Sequence, residues 1–189
     1  MFADLSPLIA ATAQWLTRAY PAGGGALDAA LTEVQARQAV TVAAWLRYPT
    51  ATDAALVALA GPGGSARLDR LSGARGPADR ADLPDPSDDP LDEAGPSPQA
   101  WRTWVDEVVA SWAACLLGDP ELAGRAVSAV ADCGHATGLP AEFQRLVSPD
   151  ARDRRAAALL RHPDLLAPVA DLHRAALTER LGPGQAQSA

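Results

Sequence analysis

Leu8, Ile9, Trp15, Leu16 and Ala19 recur at helical spacing behind Ser6-Pro7, with Thr12 the one polar member of their face. This period predicts an amphipathic helix, which Pro21 and the run Gly23, Gly24, Gly25 bring to an end. A second helix is predicted from about Asp28 to Arg47, with Leu31, Val34, Val42, Trp45 and Leu46 as its apolar positions and Gln38 as an interruption. Thr50 and Asp53 stand at capping-box spacing before the apolar run AALVALA, which stops at Gly61-Pro62. A shorter helix is expected from Ser65 to Leu71.

The strongest amphipathic pattern lies further on. WRTWVDEVVASWAACLL sets Trp101, Trp104, Val105, Val108, Val109, Trp112, Cys115 and Leu116 on one broad face and closes at Gly118. Further helices are predicted over 120–133, 140–147, 149–161 and 164–181, with Gly182-Pro183 as the stop. A small capping residue followed by Pro marks four starts, at Ser6-Pro7, Ser97-Pro98, Asp119-Pro120 and Ser148-Pro149. Ser or Asp accepts from a free N–H of the first turn, while Pro at the first helical position needs no donor and already has helical φ.

No segment alternates with the period of a half-buried strand, and no internal repeat of fixed length is present. The expected fold is an all-α helical bundle of about seven to nine helices. Residues 79–99, DRADLPDPSDDPLDEAGPSPQ, interrupt the helical pattern with seven carboxylates, five prolines and a single arginine. Prolines break a helix and crowded carboxylates repel into an extended chain, so 73–97 is expected to be a long acidic Pro-rich connecting loop. It separates an N-terminal helical group, 1–72, from a C-terminal one, 98–182, followed by a flexible tail, 183–189. A group of about 70 residues makes a thin core by itself, so the two are expected to form one domain.

Composition sharpens this picture. The chain has 189 residues, 48% of them apolar, enough for a real core. The net charge of −7 is concentrated in the connector, and the remaining 16 acids and 15 arginines nearly cancel. Bulk charge therefore argues against nucleic-acid binding. Every basic residue is Arg and Asn is absent as well, which points to a GC-rich genome of the kind found in high-GC bacteria. The choice of Arg is then no sign of anion recognition, while the lack of Lys excludes a Walker-type phosphate loop and Schiff-base catalysis. No apolar run reaches the roughly 18 to 20 residues needed to span a bilayer, and the acidic start MFADLSPLIAATAQW lacks a signal-peptide pattern, so a cytoplasmic location is expected.

Local motifs for chemistry are scarce. Cys115 and Cys133 belong to no CxxC or Cys/His ligand set, and a buried, reduced pair is expected. His135, His162 and His173 form no HExxH or same-face ligand pair, so neither a metal nor a cofactor is expected. There is no GxSxG, no GxGxxG after a strand and no evident carboxylate pair, which leaves an enzymatic role undetermined. Residues 52–71 have a faint helix-turn-helix outline carrying Arg67 and Arg70, although the turn holds Pro and three Gly.

Two features suggest binding. Trp101, Trp104 and Trp112 share one predicted helix, and Arg152, Arg154, Arg155 and Arg161 share another whose sign is opposite to that of the connector. Either the connector folds over this basic helix until an acidic partner displaces it, or both are solvated surfaces. The tryptophans either pack a core or wall an apolar pocket, to which Asp106, Glu107 or Ser111 would bring polar contacts. The period turns Asp106 and Glu107 largely away from the Trp face. The function expected from these features is that of a non-catalytic adaptor, binding a protein partner or itself through Trp101, Trp104, Trp112, Arg152, Arg154, Arg155 and Arg161. The alternative is a small helical enzyme or carrier of an apolar small molecule, and a third reading is a weak DNA-binding regulator.

Overall fold

The computed structural model describes residues 5–50, 52–54, 105–132 and 142–182, and among these the only regular elements are helices. Eight helices follow in order: α1 (Ser6–Ala19), α2 (Ala26–Arg47), α3 (Glu107–Gly118), α4 (Pro120–Asp132), α5 (Gln144–Val147), α6 (Ala151–Ala156), α7 (Pro163–Ala170) and α8 (Arg174–Leu181). Helical backbone also begins at 52–54, behind Thr50, whose hydroxyl oxygen accepts from the Asp53 N–H at 3.2 Å. The acidic connector, Trp101, Trp104, Arg67, Arg70, Cys133, His135 and the C-terminal tail lie outside the described residues.

The bundle is all-α, as the apolar spacing predicts, and α2 is its spine. With 22 residues it spans about 33 Å, and it packs against α1, α3, α4, α5 and α6. Its inner face is built largely of small side chains: Ala36, Ala39, Ala43 and Ala44 are fully buried beside Val40 and Val42. Across from them α3 presents Ala110, Ala113 and Ala114, so the two backbones approach along an alanine seam. Helices from both sides of the connector contribute to a single core, from Trp15 and Leu16 of α1 to Leu166 and Val169 of α7 and Leu177 of α8.

Several helix starts differ from the predicted caps. Asp119 behaves as expected, its Oδ1 accepting the N–H groups of Glu121 and Leu122, both at 3.0 Å. At α1 the cap position falls on Leu5, and Ser6 is already helical. At α6 the cap moves past Ser148-Pro149 to Asp150, which forms a reciprocal capping box with Asp153. A carboxylate that can accept from the third residue while its own N–H is taken in return outcompetes a lone Ser. The helix bearing Trp112 starts only at Glu107, because Asp106 adopts extended backbone and accepts the Val109 N–H at 3.0 Å.

The expectation for α3 itself is corrected. Residues 109–117 are buried all round, so this is the central helix of the bundle and has no free polar face. The predicted helices over 149–161 and 164–181 are also subdivided. Residues 157–161 form turns after α6, and a break at 171–173 separates α7 from α8. Both subdivisions have causes in side chains from other helices.

Candidate functional site

Two regions of the described surface combine features suited to binding, and a buried polar network frames one of them. That network begins at Gln35, a fully buried polar residue of α2. Its Nε2 donates to Asp153 O at 3.0 Å, and its Oε1 accepts from Arg161 Nε at 2.6 Å. Arg161 also donates from Nη1 to Leu117 O at 2.7 Å and from Nη2 to Arg145 O at 2.9 Å, tying the end of α3 to α5. Burial lowers the Arg161 pKa to about 10, which still leaves it charged at neutral pH. Asp153, 3% exposed, takes an ion pair from Arg145 as well as the Asp150 N–H. Thr32 adds a hydrogen bond to Ala156 O at 2.9 Å.

These bonds account for the turn after α6 and sort the predicted arginines. Arg161 is part of the interior scaffold, whereas Arg152, Arg154 and Arg155 are exposed on α6. None of the three has an ion-pair partner among the described residues, although Asp150 at the cap is electrostatically coupled to Arg152.

The pairings Gln35 to Asp153 and Thr32 to Ala156 set α6 antiparallel to α2, which runs the chain after α6 toward the start of α2. There Leu27 is 53% exposed and Val34 40%, and Leu159 beyond α6 is 42% exposed. Leu27 and Val34 belong to the α2 stripe that continues through Gln38 and Trp45. Further along that stripe Gln38 donates to Glu142 O, and Trp45 meets Phe143 edge to face at 6.2 Å. Gln38, a break in the apolar pattern, is thus a tether for the chain before α5. The stripe is covered at one end and exposed at the other.

The second region lies at the opposite end of α2. Arg47, Tyr48, Asp53, Trp112 and Arg180 line an open cleft of about 390 Å³. Tyr48 donates to the buried Asp106 carboxylate, and Arg47 lies over the Tyr48 ring, 5.5 Å from its centroid. Burial and the neighbouring Asp106 carboxylate raise the Tyr48 pKa far above the phenol range, so it is a neutral donor. Trp112 is 5% exposed and donates its indole N–H to His173 O at 3.1 Å. It is therefore an interior wall and not part of an exposed helix face. Trp112 and the α6 arginines do not share a surface: α6 packs on α2, and it is the half-buried Arg161 that reaches α3.

Asp106 and Glu107 are likewise not the outward groups that the helical period suggests. Asp106 is 7% exposed as the cap under Tyr48, and Glu107 Oε1 is hydrogen-bonded to His173 Nε2 at 2.8 Å. Ser111 is fully buried and bonded on both sides to the α7–α8 break. Cys115 is a buried free thiol contacting Ala170 O at 3.4 Å, its pKa pushed up to about 11 by burial. Among the described residues no group of His, Cys, Asp and Glu is placed to hold a metal ion, and no helix is long and apolar enough to cross a membrane.

Sequence reasoning missed Tyr48, Arg47 and Arg180, because the cleft is assembled from the ends of helices far apart in the chain. The only local signal was a basic residue in the last turn of α2 and of α8. No family model, curated protein or solved structure matches this chain.

Proposed function

We propose that this chain is a non-catalytic cytoplasmic adaptor that binds a protein partner carrying an acidic, partly apolar segment. The reading is carried by the exposed Leu27 and Val34 on α2 together with the exposed Arg152, Arg154 and Arg155 on α6, which packs on α2. Exposed apolar side chains and charges without an ion-pair partner on two helices packed together are the usual makings of an interaction surface. The surface is also preorganised: Gln35, Asp153, Arg145 and Arg161 fix α6 on α2 before any partner arrives. Arginines at its edge speed and select encounters with an acidic segment, while the apolar stripe contributes the area that holds it.

The test is isolation of the full chain from its own cells at low salt, beside Val34→Asp and Arg155→Glu variants. A stoichiometric partner that crosslinks through an acidic segment and is retained at least about tenfold less by either variant supports the reading. Retention by both variants, or crosslinks confined to another face, overturns it. A ligand-carrier role would be seated elsewhere, where Trp112 and Tyr48 wall the cleft.

A further inference from the structure

The cleft at the far end of α2 has a chemistry of its own. It draws Arg47 and Tyr48 from the end of α2, Trp112 from α3 and Arg180 from the last turn of α8. We propose that it is a binding site for a small organic anion with a flat aromatic body, an aryl carboxylate or aryl phosphate.

Charge supplies the first argument. Arg47 and Arg180 both line the cleft, and neither has an ion-pair partner among the described residues. Among the described residues Asp53 is the one carboxylate in the lining, and the Thr50 hydroxyl donates to it at 2.7 Å. The nearby Asp106 and Glu107 are engaged by Tyr48 and His173. Among the described residues the lining therefore carries one net positive charge at neutral pH.

The walls supply the second argument. The Tyr48 and Trp112 rings, 2% and 5% exposed, form a fixed floor, each pinned at its polar end, one to Asp106 and the other to His173 O, with Arg47 over the Tyr48 ring. The cleft volume of about 390 Å³ lies within the range of small-molecule sites. An arginine in the last turn of a helix is favoured by the helix dipole, which explains each of these arginines singly. It does not explain why two helices far apart in sequence bring theirs to one cleft beside two aromatic rings. An aryl anion would set its charge between the guanidinium groups and its ring over the floor of the cleft, where only the edges of Trp112 and Tyr48 reach the surface.

Calorimetric titration of the full chain with phenyl phosphate and benzoate tests the proposal, with inorganic phosphate and benzyl alcohol as single-feature controls. Arg47 and Arg180 are exposed, so Arg47→Gln and Arg180→Gln keep the fold, which circular dichroism checks. The expected result is saturable binding of at least one aryl anion with Kd below about 1 mM. Either variant should weaken it at least about tenfold, and the Trp112 indole N–H resonance should shift on titration. No binding of either aryl anion, equal binding by the variants, or a control that binds as tightly as the aryl anions would each overturn it.

Discussion

Ser111 holds His173 out of the helix that the sequence around it favours. The Ser111 hydroxyl accepts the His173 N–H at 3.0 Å and donates to Ala170 O, also at 3.0 Å. In a continuous helix Ala170 O would accept from Arg174 N–H and His173 N–H would reach Val169 O. One side chain on α3 satisfies both groups instead, and Trp112 adds a donor to His173 O. This break turns α8 so that Arg180 reaches the cleft beside Tyr48.

Ser111→Ala should therefore destabilise the protein by about 1–3 kcal/mol, since it orphans the His173 N–H and leaves the buried Ala170 O only the weak Cys115 thiol as a donor. Urea unfolding monitored by circular dichroism gives the value. A change below about 0.5 kcal/mol would mean that the break is set by Pro168 and the local chain alone.

Arg161 is the arginine whose loss should matter most to folding. Arg161→Met leaves Gln35 Oε1, Leu117 O and Arg145 O without their donors, with an expected cost of about 3–5 kcal/mol. Arg161→Lys should recover only part of it, because an ammonium cannot reproduce the planar fork that spans three acceptors on three elements. Arg154→Ala on the exposed side of α6 should change stability by less than about 0.5 kcal/mol. Equal effects of Arg161→Met and Arg154→Ala in urea titrations would contradict the division between scaffold and surface arginines.

Asp150 adds a pH dependence. Its pKa is lowered below the ordinary 3.8, first by the hydrogen bond from the Asp153 N–H and then by Arg152 N–H and the charges of Arg145 and Arg152. The folded state thus binds the proton less readily than the unfolded chain, and the stabilisation is fully present above the unfolded pKa. It is lost as pH falls through the folded value. Asp150→Ala should lower the urea midpoint at pH 7, and its difference from the parent should shrink once the pH drops below 3.8. A constant difference down to strong acid would rule out the capping carboxylate as the titrating group.

What the sequence discloses here is what depends on neighbours in the chain. Helix type followed from the spacing of Leu8, Ile9, Trp15 and Leu16, and the Asp119 cap from its position before Pro120. Capping competition was harder to foresee, since Ser148-Pro149 and Asp150 are both plausible caps until Asp153 closes the box from inside the helix. The α7–α8 break was hidden because its cause, Ser111, lies about 60 residues away. The same holds for the two surfaces. The exposed Arg152, Arg154 and Arg155 were visible as a run, but their separation from Arg161 required knowing that Gln35 faces them from α2. Trp112 was recognised as apolar wall material, whereas its burial came from α3 being enclosed on every side.

Cys115 offers a direct check on that enclosure. Burial pushes its thiol up to about 11, so almost none of it is thiolate at pH 8, and its sulfur faces Ala170 O in the interior. Iodoacetamide at pH 8 should alkylate Cys115 at least about a hundredfold more slowly in the native protein than in urea, read from the peptide that contains it by mass spectrometry. The Ser111→Ala variant links this to the α7–α8 break. With Ala170 O deprived of the Ser111 hydroxyl, local opening of α7 from α3 becomes easier and alkylation of Cys115 should accelerate in step with the lost stability. Native alkylation as fast as in urea would mean that α3 is not the enclosed centre of the bundle, and the interior position of Trp112 would fall with it.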